Sequence, residues 1–355
     1  MTGLRTNAEY HLGNYLGAIL PMVHMANSKA DEYQINLFAP DLHSFTTPID
    51  HKTFYKQTMD NIRLFAASGI PIDHDNVFMY RQSRIPAHSE LTWILGNFTG
   101  FGEMARMVEF KEKSQRTYES LGAQDSVDPD EAKMQKTHDR VSVGLFTYPI
   151  LMAADILLYG AEWVPVGEDQ RQHLEFARDI STRFNNQFGD TFVVPKAITE
   201  QQKFVDRDSA PRIRSLRDPS KKMSKSVSDP AGTIQLSDTP EEATKKIMSA
   251  TTDSVGKINF DFENQPGISN LLQILGLLSG KTQQEINDQW TGNERYGDLK
   301  KATAEAVAET LQTIQGKLSE IDEQAIATKL ESSETAMTVI ANETLLKVQK
   351  AVGLR

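Results

Sequence analysis

Two patterns of apolar and polar positions divide the 355-residue chain near residue 230. In the first part, short apolar runs alternate with segments in which apolar residues recur every three or four positions. The runs are INLFAPDL, NVFMY, TFVVP and PRIRSL, and the helical segments include SELTWILGNFT and EDQRQHLEFARDISTRF. Strands that alternate with helices are typical of an α/β fold, so we predict a doubly wound parallel sheet over residues 1–230.

Beyond Pro230 the strand-like runs nearly vanish and the spacing becomes helical. Thr239, Pro240 and Glu242 have the pattern of a capping box with proline at the first helical position. Helical spacing then continues through EEATKKIMSATT, ISNLLQILGLLS, TQQEINDQW, LKKATAEAVAETLQTIQGKL, EQAIATKLE and ETAMTVIANETLLKVQKAV. Residues 231–355 are therefore predicted to form an all-helical domain.

Composition narrows the classes of chemistry open to the chain. It contains no cysteine, which excludes disulfides, thiolate nucleophiles, zinc ribbons and iron–sulfur clusters. Its N-terminus lacks the pattern of a signal peptide, and its longest apolar segment, YPILMAADILLYG, is too short to span a bilayer. We therefore expect a cytoplasmic protein with no membrane association.

The segment DPSKKMSKSVSDP, residues 218–230, concentrates three lysines and four serines in a chain of net charge -10. It follows a predicted strand and lies between prolines. Lysines and serines supply the cations and short donors that stabilise charge on a transferring phosphoryl or nucleotidyl group. A solvated basic turn would have the same composition, so this pattern alone leaves both interpretations open.

A second candidate site lies near the N-terminus, where His11, Gly13 and Asn14 mark the entry of a loop into a helix. Backbone N–H groups at such an entry favour anions, and glycine allows a ligand to approach the backbone closely. This outline fits a phosphate site, although an ordinary helix cap would also explain it.

Taken together, HLGN and KMSKS resemble, in order and separation, the two signature motifs of the class I aminoacyl-tRNA synthetases. Four further blocks resemble the bacterial tryptophanyl-tRNA synthetases within that family: FGEMARMVEFKEKS at 101–114, GLFTYPILMAADILLY at 144–159, VPVGEDQRQHLEFARDISTRFN at 164–185 and the later PGISNLLQILGLLSG. The resemblance extends across essentially the whole chain.

This resemblance implies an activity and a set of partners. The family activates tryptophan with ATP, as its Mg²⁺ complex, to tryptophanyl-adenylate and pyrophosphate, and then transfers the tryptophanyl group to the terminal ribose of tRNA(Trp). It implies no zinc, no iron–sulfur cluster and no protein-bound metal, and a homodimer. It also implies a Rossmann-type catalytic domain over residues 1–230, with a mostly helical connective insertion at about 100–185, and an anticodon-binding domain over residues 231–355.

The resemblance also assigns residues of the nucleotide site. The residues matched to ATP binding are Arg5, Thr6, Asn7, Gly13, Asn14, Gly167, Glu168, Asp169, Ile213, Lys222, Met223, Ser224, Lys225 and Ser226. Those matched to catalytic roles at the phosphates are His11, Asn14, Lys113, Lys222 and Lys225.

Asp155 is the principal candidate for amino-acid specificity. It is the only charged residue between Phe146 and Gly160, and a carboxylate in an apolar helix is costly unless a donor pairs with it. A backbone N–H or an arginine could be that donor, and the resemblance instead supplies the indole N–H of tryptophan. The resemblance adds further tryptophan-site residues, namely Met152, Tyr148, Gln170, His43, Val164 and Val166.

The chain departs from the family pattern at four places. Only Met1 and Thr2 precede Gly3, so we expect either that the first strand is missing or that the chain begins late, with Met1 where the family has an aromatic residue. Arg5 and Thr6–Asn7 replace the usual glutamine and proline–serine, and Pro21 predicts a kink in the helix after HLGN. Residues 115–143 resemble a surface insertion, which is either a tolerated loop without a function or a segment near the incoming tRNA acceptor end.

Three other functions remain open from the sequence. A tyrosyl-tRNA synthetase shares the fold, but GEDQRQH and the full KMSKS fit tryptophan better. A small-molecule adenylyltransferase shares the first loop but lacks a helical second half. A non-catalytic tRNA-binding relative would have eroded signature loops, and both loops here are chemically intact.

Overall fold

A computed structural model describes the chain over residues 1–3, 6, 9–108, 110–111, 142–167, 170–204, 211–224 and 229–355. Within these ranges, three parallel strands form one sheet in the order β1-β2-β3: β1 Thr2–Gly3, β2 Ile35–Ala39 and β3 Val77–Arg81. Thr2 pairs with Leu37, and Ile35 pairs with Val77. The parallel sheet that the sequence predicted is confirmed, and the first strand is present as a two-residue pairing.

Both faces of the sheet are covered. All five residues of β2 are buried. Leu37 and Met79 pack into one apolar cluster, whereas Phe38 and Tyr80 on the same strands pack into another. Side chains alternate between the faces of a strand, so these two clusters lie on opposite sides of the sheet. The arrangement agrees with the doubly wound fold.

Nine helices of the described part belong to the first 230 residues: α1 Leu12–Asn14, α2 Leu20–Lys29, α3 Asp41–Ser44, α4 Phe54–Ala67, α5 Ala87–Gly96, α6 Phe101–Ala105, α7 Val143–Leu157, α8 Arg171–Phe188 and α9 Ile198–Phe204. A π-helical turn, Tyr15–Ile19, joins α1 to α2. It lies directly before Pro21, because proline cannot donate to the carbonyl four residues earlier. The kink that the sequence predicted at Pro21 stays a prediction.

Two predicted strands are wrong. TFVVP forms no strand, and its Phe192 instead packs edge-on against Phe184 of α8. PRIRSL makes only an isolated antiparallel bridge between Arg214 and Lys222. Apolar runs of this length specify burial but not a pairing partner, so they cannot distinguish a strand from a buried extended segment.

The second part is helical, as predicted, with α10 Pro240–Met248, α11 Pro266–Ser279, α12 Gln283–Trp290, α13 Tyr296–Glu320 and α14 Glu323–Ala351. Thr239 and Glu242 form the predicted capping box at the start of α10. The last two predicted segments are one continuous helix, α14.

Helix α14 returns to the sheet and covers the edge of β3. The Met79 N–H donates to Ser333 Oγ at 3.2 Å, and the Arg81 guanidinium donates to both carboxylate oxygens of Glu334, at 2.6 and 2.9 Å. Met337 and neighbouring apolar residues of α14 belong to the same cluster as Phe38. These contacts satisfy an edge strand that would otherwise expose its backbone groups.

None of the helices in the described ranges has the length and apolar character needed to cross a membrane.

Candidate active site

The carboxyl ends of the three strands meet at one edge of the sheet, where ligands bind in open α/β folds. β1 leads toward the HLGN turn, β2 into α3 with His43, and β3 into a 3-10 turn at Gln82–Arg84. The candidate residues fall into two groups at this edge, one around His11 and one around Asp155.

The two signature motifs contact each other. A Cβ placed on Gly13 would lie 3.1 Å from the His11 ring and 3.4 Å from Met223 Cβ. The Leu12 N–H donates to Ile234 O at 2.8 Å, and His11 forms an antiparallel bridge with Gln235. The HLGN turn therefore packs directly on the segment that carries KMSKS, and glycine at position 13 allows this close approach.

His11 and Asn14 hold each other in a reciprocal cap. The Asn14 N–H donates to His11 Nδ1, and the His11 N–H donates to Asn14 Oδ1, each at 3.3 Å. Because Nδ1 accepts this bond, the neutral ring carries its proton on Nε2. His11 is 5% exposed, so the cap fixes the ring of a buried histidine. This tautomer suits donation to a phosphate oxygen.

The lysine segment is built on a tight backbone ladder. The Met223 N–H donates to Ile213 O at 2.9 Å, and the Ser215 N–H donates to Lys221 O at 3.0 Å. Ile213 and Met223 are both 1% exposed, whereas Lys222 is exposed. Ser224 O accepts a bond from Thr233 Oγ1 at 2.7 Å. Lys222 thus projects from a rigid base.

Asn270 of α11 supports this base from the helical part. Its Oδ1 accepts from the Arg214 N–H at 2.8 Å, and its Nδ2 donates to Arg214 O at 3.0 Å. The amide therefore pairs with the backbone of Arg214 as a neighbouring strand would. At the far end of the loop, Asp229 accepts from Ser215 Oγ and from the Gly232 N–H.

The second group surrounds Asp155, which is 1% exposed within α7. Its Oδ1 accepts from Gln82 Nε2 at 2.6 Å and from His88 Nδ1 at 2.7 Å. Its Oδ2 accepts from His43 Nε2 at 2.9 Å. The sequence had suggested a backbone N–H or an arginine as the protein's own donor, but the structure provides two histidines and a glutamine.

These donors keep the buried carboxyl ionised. Burial raises the pKa of Asp155, but hydrogen bonds and charges from His43 and His88 outweigh burial, so that its pKa lies below the ordinary value. Asp155 is therefore a carboxylate, an acceptor only, at neutral pH.

Tyr148 completes this group on the α7 side. Its ring lies edge-on to His43, with centroids 6.1 Å apart, and its hydroxyl is 2.7 Å from His173 Nε2. Val164 is buried in the same apolar cluster as α7, and Met152 and Val166 pack against that cluster. The structure thus brings His43, Tyr148 and Asp155 together.

Other predicted residues lie elsewhere or outside the described ranges. Thr6 is fully buried against α4, where its carbonyl accepts from Asn61 Nδ2 at 2.9 Å. Gly167 O accepts from the Gln170 N–H at the start of α8. The predicted site residues outside the described part are Arg5, Asn7, Lys113, Glu168, Asp169, Lys225 and Ser226, together with nearly all of the 115–143 insertion.

Sequence reasoning missed Gln82, His88 and Tyr159. Gln82 directly follows β3, so the rule that ligands bind at the carboxyl ends of parallel strands could have identified it. His88 and Tyr159 carry no such signal, because each is a polar residue next to an apolar helix pattern. Their contacts with Asp155 and its partners arise only from the folding of distant parts of the chain.

Among the described residues, no group of three acidic or histidine side chains is arranged to hold a metal ion.

Comparison with known proteins gives one consistent family. Residues 1–312 match the model of the class I tRNA synthetases for tryptophan and tyrosine. The chain is 41% identical over 353 residues to the tryptophan–tRNA ligase of Caldanaerobacter subterraneus, covering 99% of this chain and 97% of that protein.

Solved structures agree with this match. Tryptophanyl-tRNA synthetase from Mycoplasma pneumoniae superposes with a TM-score of 0.79 at 32% identity, over 100% of this chain and 97% of that one. The Campylobacter jejuni enzyme, complexed with ADP and tryptophan, gives 0.72 at 29%, over 99% and 98%. A tyrosyl-tRNA synthetase from Aeropyrum pernix gives 0.64 at 18%, over 94% and 89%, which shows the fold alone.

Proposed function

The chain belongs to the class I tRNA synthetases of the tryptophan and tyrosine group, and from this we propose that it is a tryptophan–tRNA ligase. It activates tryptophan with MgATP, releases pyrophosphate, and transfers the tryptophanyl group to the terminal ribose of tRNA(Trp). The observation that carries the choice of tryptophan is the buried, ionised Asp155. A carboxylate at this position accepts the indole N–H, a donor that phenylalanine lacks and tyrosine carries elsewhere.

The arrangement around Asp155 supports this role. Oδ1 already accepts two bonds, whereas Oδ2 accepts one from the described side chains, from His43. Tyr148 and His43 stand beside it as aromatic walls. A hydrogen bond to a charged acceptor contributes about 1.5–3 kcal/mol, so this contact alone gives about 10- to 100-fold discrimination. We assign the remaining selectivity to the shape of the pocket formed by Met152, Val164 and Val166.

Activation needs alignment and charge stabilisation rather than an enzyme nucleophile. The tryptophan carboxylate attacks the α-phosphorus of ATP, the bond to the bridging oxygen breaks, and pyrophosphate leaves with its electron pair. His11 Nε2–H donates to a phosphate oxygen in this proposal, and Lys222 and Lys225 stabilise the charge that develops on the leaving group. Mg²⁺ enters with ATP, held by the phosphates.

Amino-acid-dependent exchange of pyrophosphate into ATP tests the proposal, with tryptophan, tyrosine or no amino acid added. Exchange should depend on tryptophan. Asp155→Ala should raise KM for tryptophan by about 10- to 100-fold and relax rejection of phenylalanine. Exchange with tyrosine alone would overturn the assignment to tryptophan.

Lys225→Ala should cut the rate of tryptophan activation by about 10²-fold or more and leave tryptophan binding nearly unchanged, because the contact forms at the transition state. The rate is read in the same exchange assay and binding by calorimetry. A large loss of tryptophan affinity with unchanged turnover would contradict the role given to Lys225.

The partner surface that we propose for a homodimer lies on α5, α6 and α7. Trp93, Phe101 and Val143 are each about three-quarters exposed, at 78%, 74% and 76%, and the Phe101 ring packs 4.9 Å from that of Phe146. Apolar side chains so exposed favour burial against a second copy of the chain. Phe101→Glu should shift the sedimentation coefficient from dimer to monomer, and Val339→Glu, an exposed position on α14, serves as the control. A wild-type monomer would contradict the proposal.

Binding of tRNA by residues 231–355 is likewise a proposal. Of the lysines in this part, Lys246 is paired with Asp238, and Lys300 Nζ donates to the carbonyls of Met248 and Ala250. Contacts within this part of the chain hold both lysines, so the phosphate contacts that we expect fall on exposed neighbours such as Lys245 and Lys301. A cytoplasmic location also stays a prediction.

A further inference from the structure

A chain of buried polar side chains lies behind Asp155. His88 is 0% exposed, with its Nδ1 2.7 Å from Asp155 Oδ1 and its Nε2 2.7 Å from the Tyr159 hydroxyl. Phe38 and Tyr80 cover the imidazole, with ring centroids 6.5 Å from it. A polar residue so enclosed is expensive to bury unless both ring nitrogens are satisfied, and here both are.

The direction of each hydrogen bond follows from the chemistry of the groups. A carboxylate can only accept, so His88 Nδ1 carries a proton and donates it to Oδ1. Burial raises the pKa of Tyr159, so its phenol stays protonated at neutral pH. A protonated phenol can donate to Nε2 or accept from it, and in both cases the bond holds the ring of His88 with Nδ1–H toward Asp155.

The donation from His88 Nδ1 has a consequence for the carboxylate. His88 and Gln82 both donate to Oδ1, and two donors fill the two lone-pair directions of a carboxylate oxygen. Oδ2 then keeps the acceptor direction left beside His43. His88 and Gln82 thus set the plane of the carboxylate through Oδ1.

On this basis we propose that His88, oriented by Tyr159, is a positioning residue that aims Asp155 Oδ2 at the indole N–H of the substrate. The inference rests on the proposed function and adds a specificity determinant to it. His88 acts through Asp155 alone, so its removal must reduce the advantage of substrates that carry an N–H at the indole position and must spare substrates that lack it.

A sulfur analogue of tryptophan isolates the contribution of the indole N–H to activation. β-(3-Benzothienyl)alanine replaces the indole N–H with sulfur and keeps the bicyclic shape, so it cannot donate to Oδ2. The quantity measured is the ratio of kcat/KM for tryptophan to kcat/KM for this analogue, in pyrophosphate exchange at saturating ATP. A loss of packing or of folded enzyme lowers both values together and leaves the ratio unchanged.

Two substitutions at position 88 separate the loss of the hydrogen-bond donor to Asp155 from the change in side-chain volume. His88→Leu removes the donor and keeps an apolar side chain, and we expect the ratio to fall by about 10-fold. His88→Asn places an amide nitrogen near the position of Nδ1, and its N–H donates without any choice of tautomer. The ratio of His88→Asn should therefore stay within about threefold of wild type.

Tyr159→Phe removes one oxygen atom and is the substitution least disruptive to folding. It should lower the ratio by about threefold, because His88 loses the hydroxyl that holds its ring at Nε2. In the His88→Asn background the same substitution should leave the ratio unchanged, since an amide needs no such help. An unchanged ratio in Tyr159→Phe alone, or equal losses with both substrates in His88→Leu, would overturn the assignment.

Failure of this inference is distinguishable from failure of the proposed function. Wild-type exchange with tyrosine and not tryptophan would overturn the function itself. Wild-type activation of tryptophan with a ratio near one would leave the function intact and remove the role of Asp155 as an indole acceptor, and with it the positioning role of His88.

Discussion

Asn270→Leu tests how the helical part supports the nucleotide loop. Asn270 is 1% exposed and makes both of its amide bonds to the backbone of Arg214, at 2.8 and 3.0 Å. Arg214 follows Ile213 and pairs with Lys222, so it lies at the base of the lysine segment. Leucine has the same branched arrangement of side-chain heavy atoms as asparagine, although it is larger, and it can satisfy neither group of Arg214.

The cost can be worked from these two bonds. A buried backbone N–H or C=O left without a partner costs about 1–3 kcal/mol, so the pair costs about 2–6 kcal/mol. Arg214 is half-buried, and water replaces part of the loss. We expect the free energy of unfolding to fall by about 2–4 kcal/mol. The KM for ATP should rise severalfold with that for tryptophan unchanged, because Asp155 and its donors lie on other elements.

Urea unfolding measures the first quantity, and pyrophosphate exchange measures the two KM values. Asn264→Leu is the matched control, since Asn264 is exposed and its amide donates only to the side chain of Asp261 among the contacts described. The control should change stability by less than about 0.5 kcal/mol. An Asn270→Leu protein as stable as the control, or one in which both KM values rise equally, would show that Asn270 does not support the nucleotide loop.

Two further predictions concern the buried carboxylates Glu334 and Asp155. Glu334→Leu should lower the free energy of unfolding by about 3 kcal/mol, because it leaves the half-buried Arg81 guanidinium without its carboxylate. The control, Glu331→Leu on the exposed face of α14, should change the free energy of unfolding little. Equal urea midpoints for the two variants would contradict this prediction. Asp155 has a pKa below its ordinary value of about 3.9, so its ionisation stabilises the fold above that pH and the contribution is lost as the pH falls. The difference in stability between wild type and Asp155→Asn should therefore shrink as the pH is lowered from about 6 to about 3, and a difference that grows would contradict this.

Periodicity predicted those parts of the fold that depend on local spacing. Three local features were predicted because each depends on only a few neighbouring residues. They are the strands Ile35–Ala39 and Val77–Arg81 and the capping box at Thr239. TFVVP and PRIRSL failed as strands because pairing depends on a distant partner that a short apolar run does not specify. The union of two predicted segments into α14 was missed because the pattern across residues 331–334 looks like a break.

The residues of the candidate site also divide into those that the sequence predicted and those that it did not. Asp155 stood out because a single charge interrupts an apolar helix, and His11 and Lys222 belong to recognisable loops. The donors of Asp155 are 112, 73 and 67 residues away in sequence, at His43, Gln82 and His88. No spacing rule links residues so far apart, so only the resemblance suggested His43, and His88 was not anticipated.

The most direct test of the central claim is aminoacylation of tRNA transcripts by the purified chain with ATP, Mg²⁺ and labelled tryptophan or tyrosine. Acid gels separate charged from uncharged tRNA. We expect tryptophan to be esterified to tRNA(Trp) and not to tRNA(Tyr), and tyrosine to be esterified to neither. Charging of tRNA(Tyr) with tyrosine, or formation of tryptophanyl-adenylate with no charging of tRNA(Trp), would contradict it.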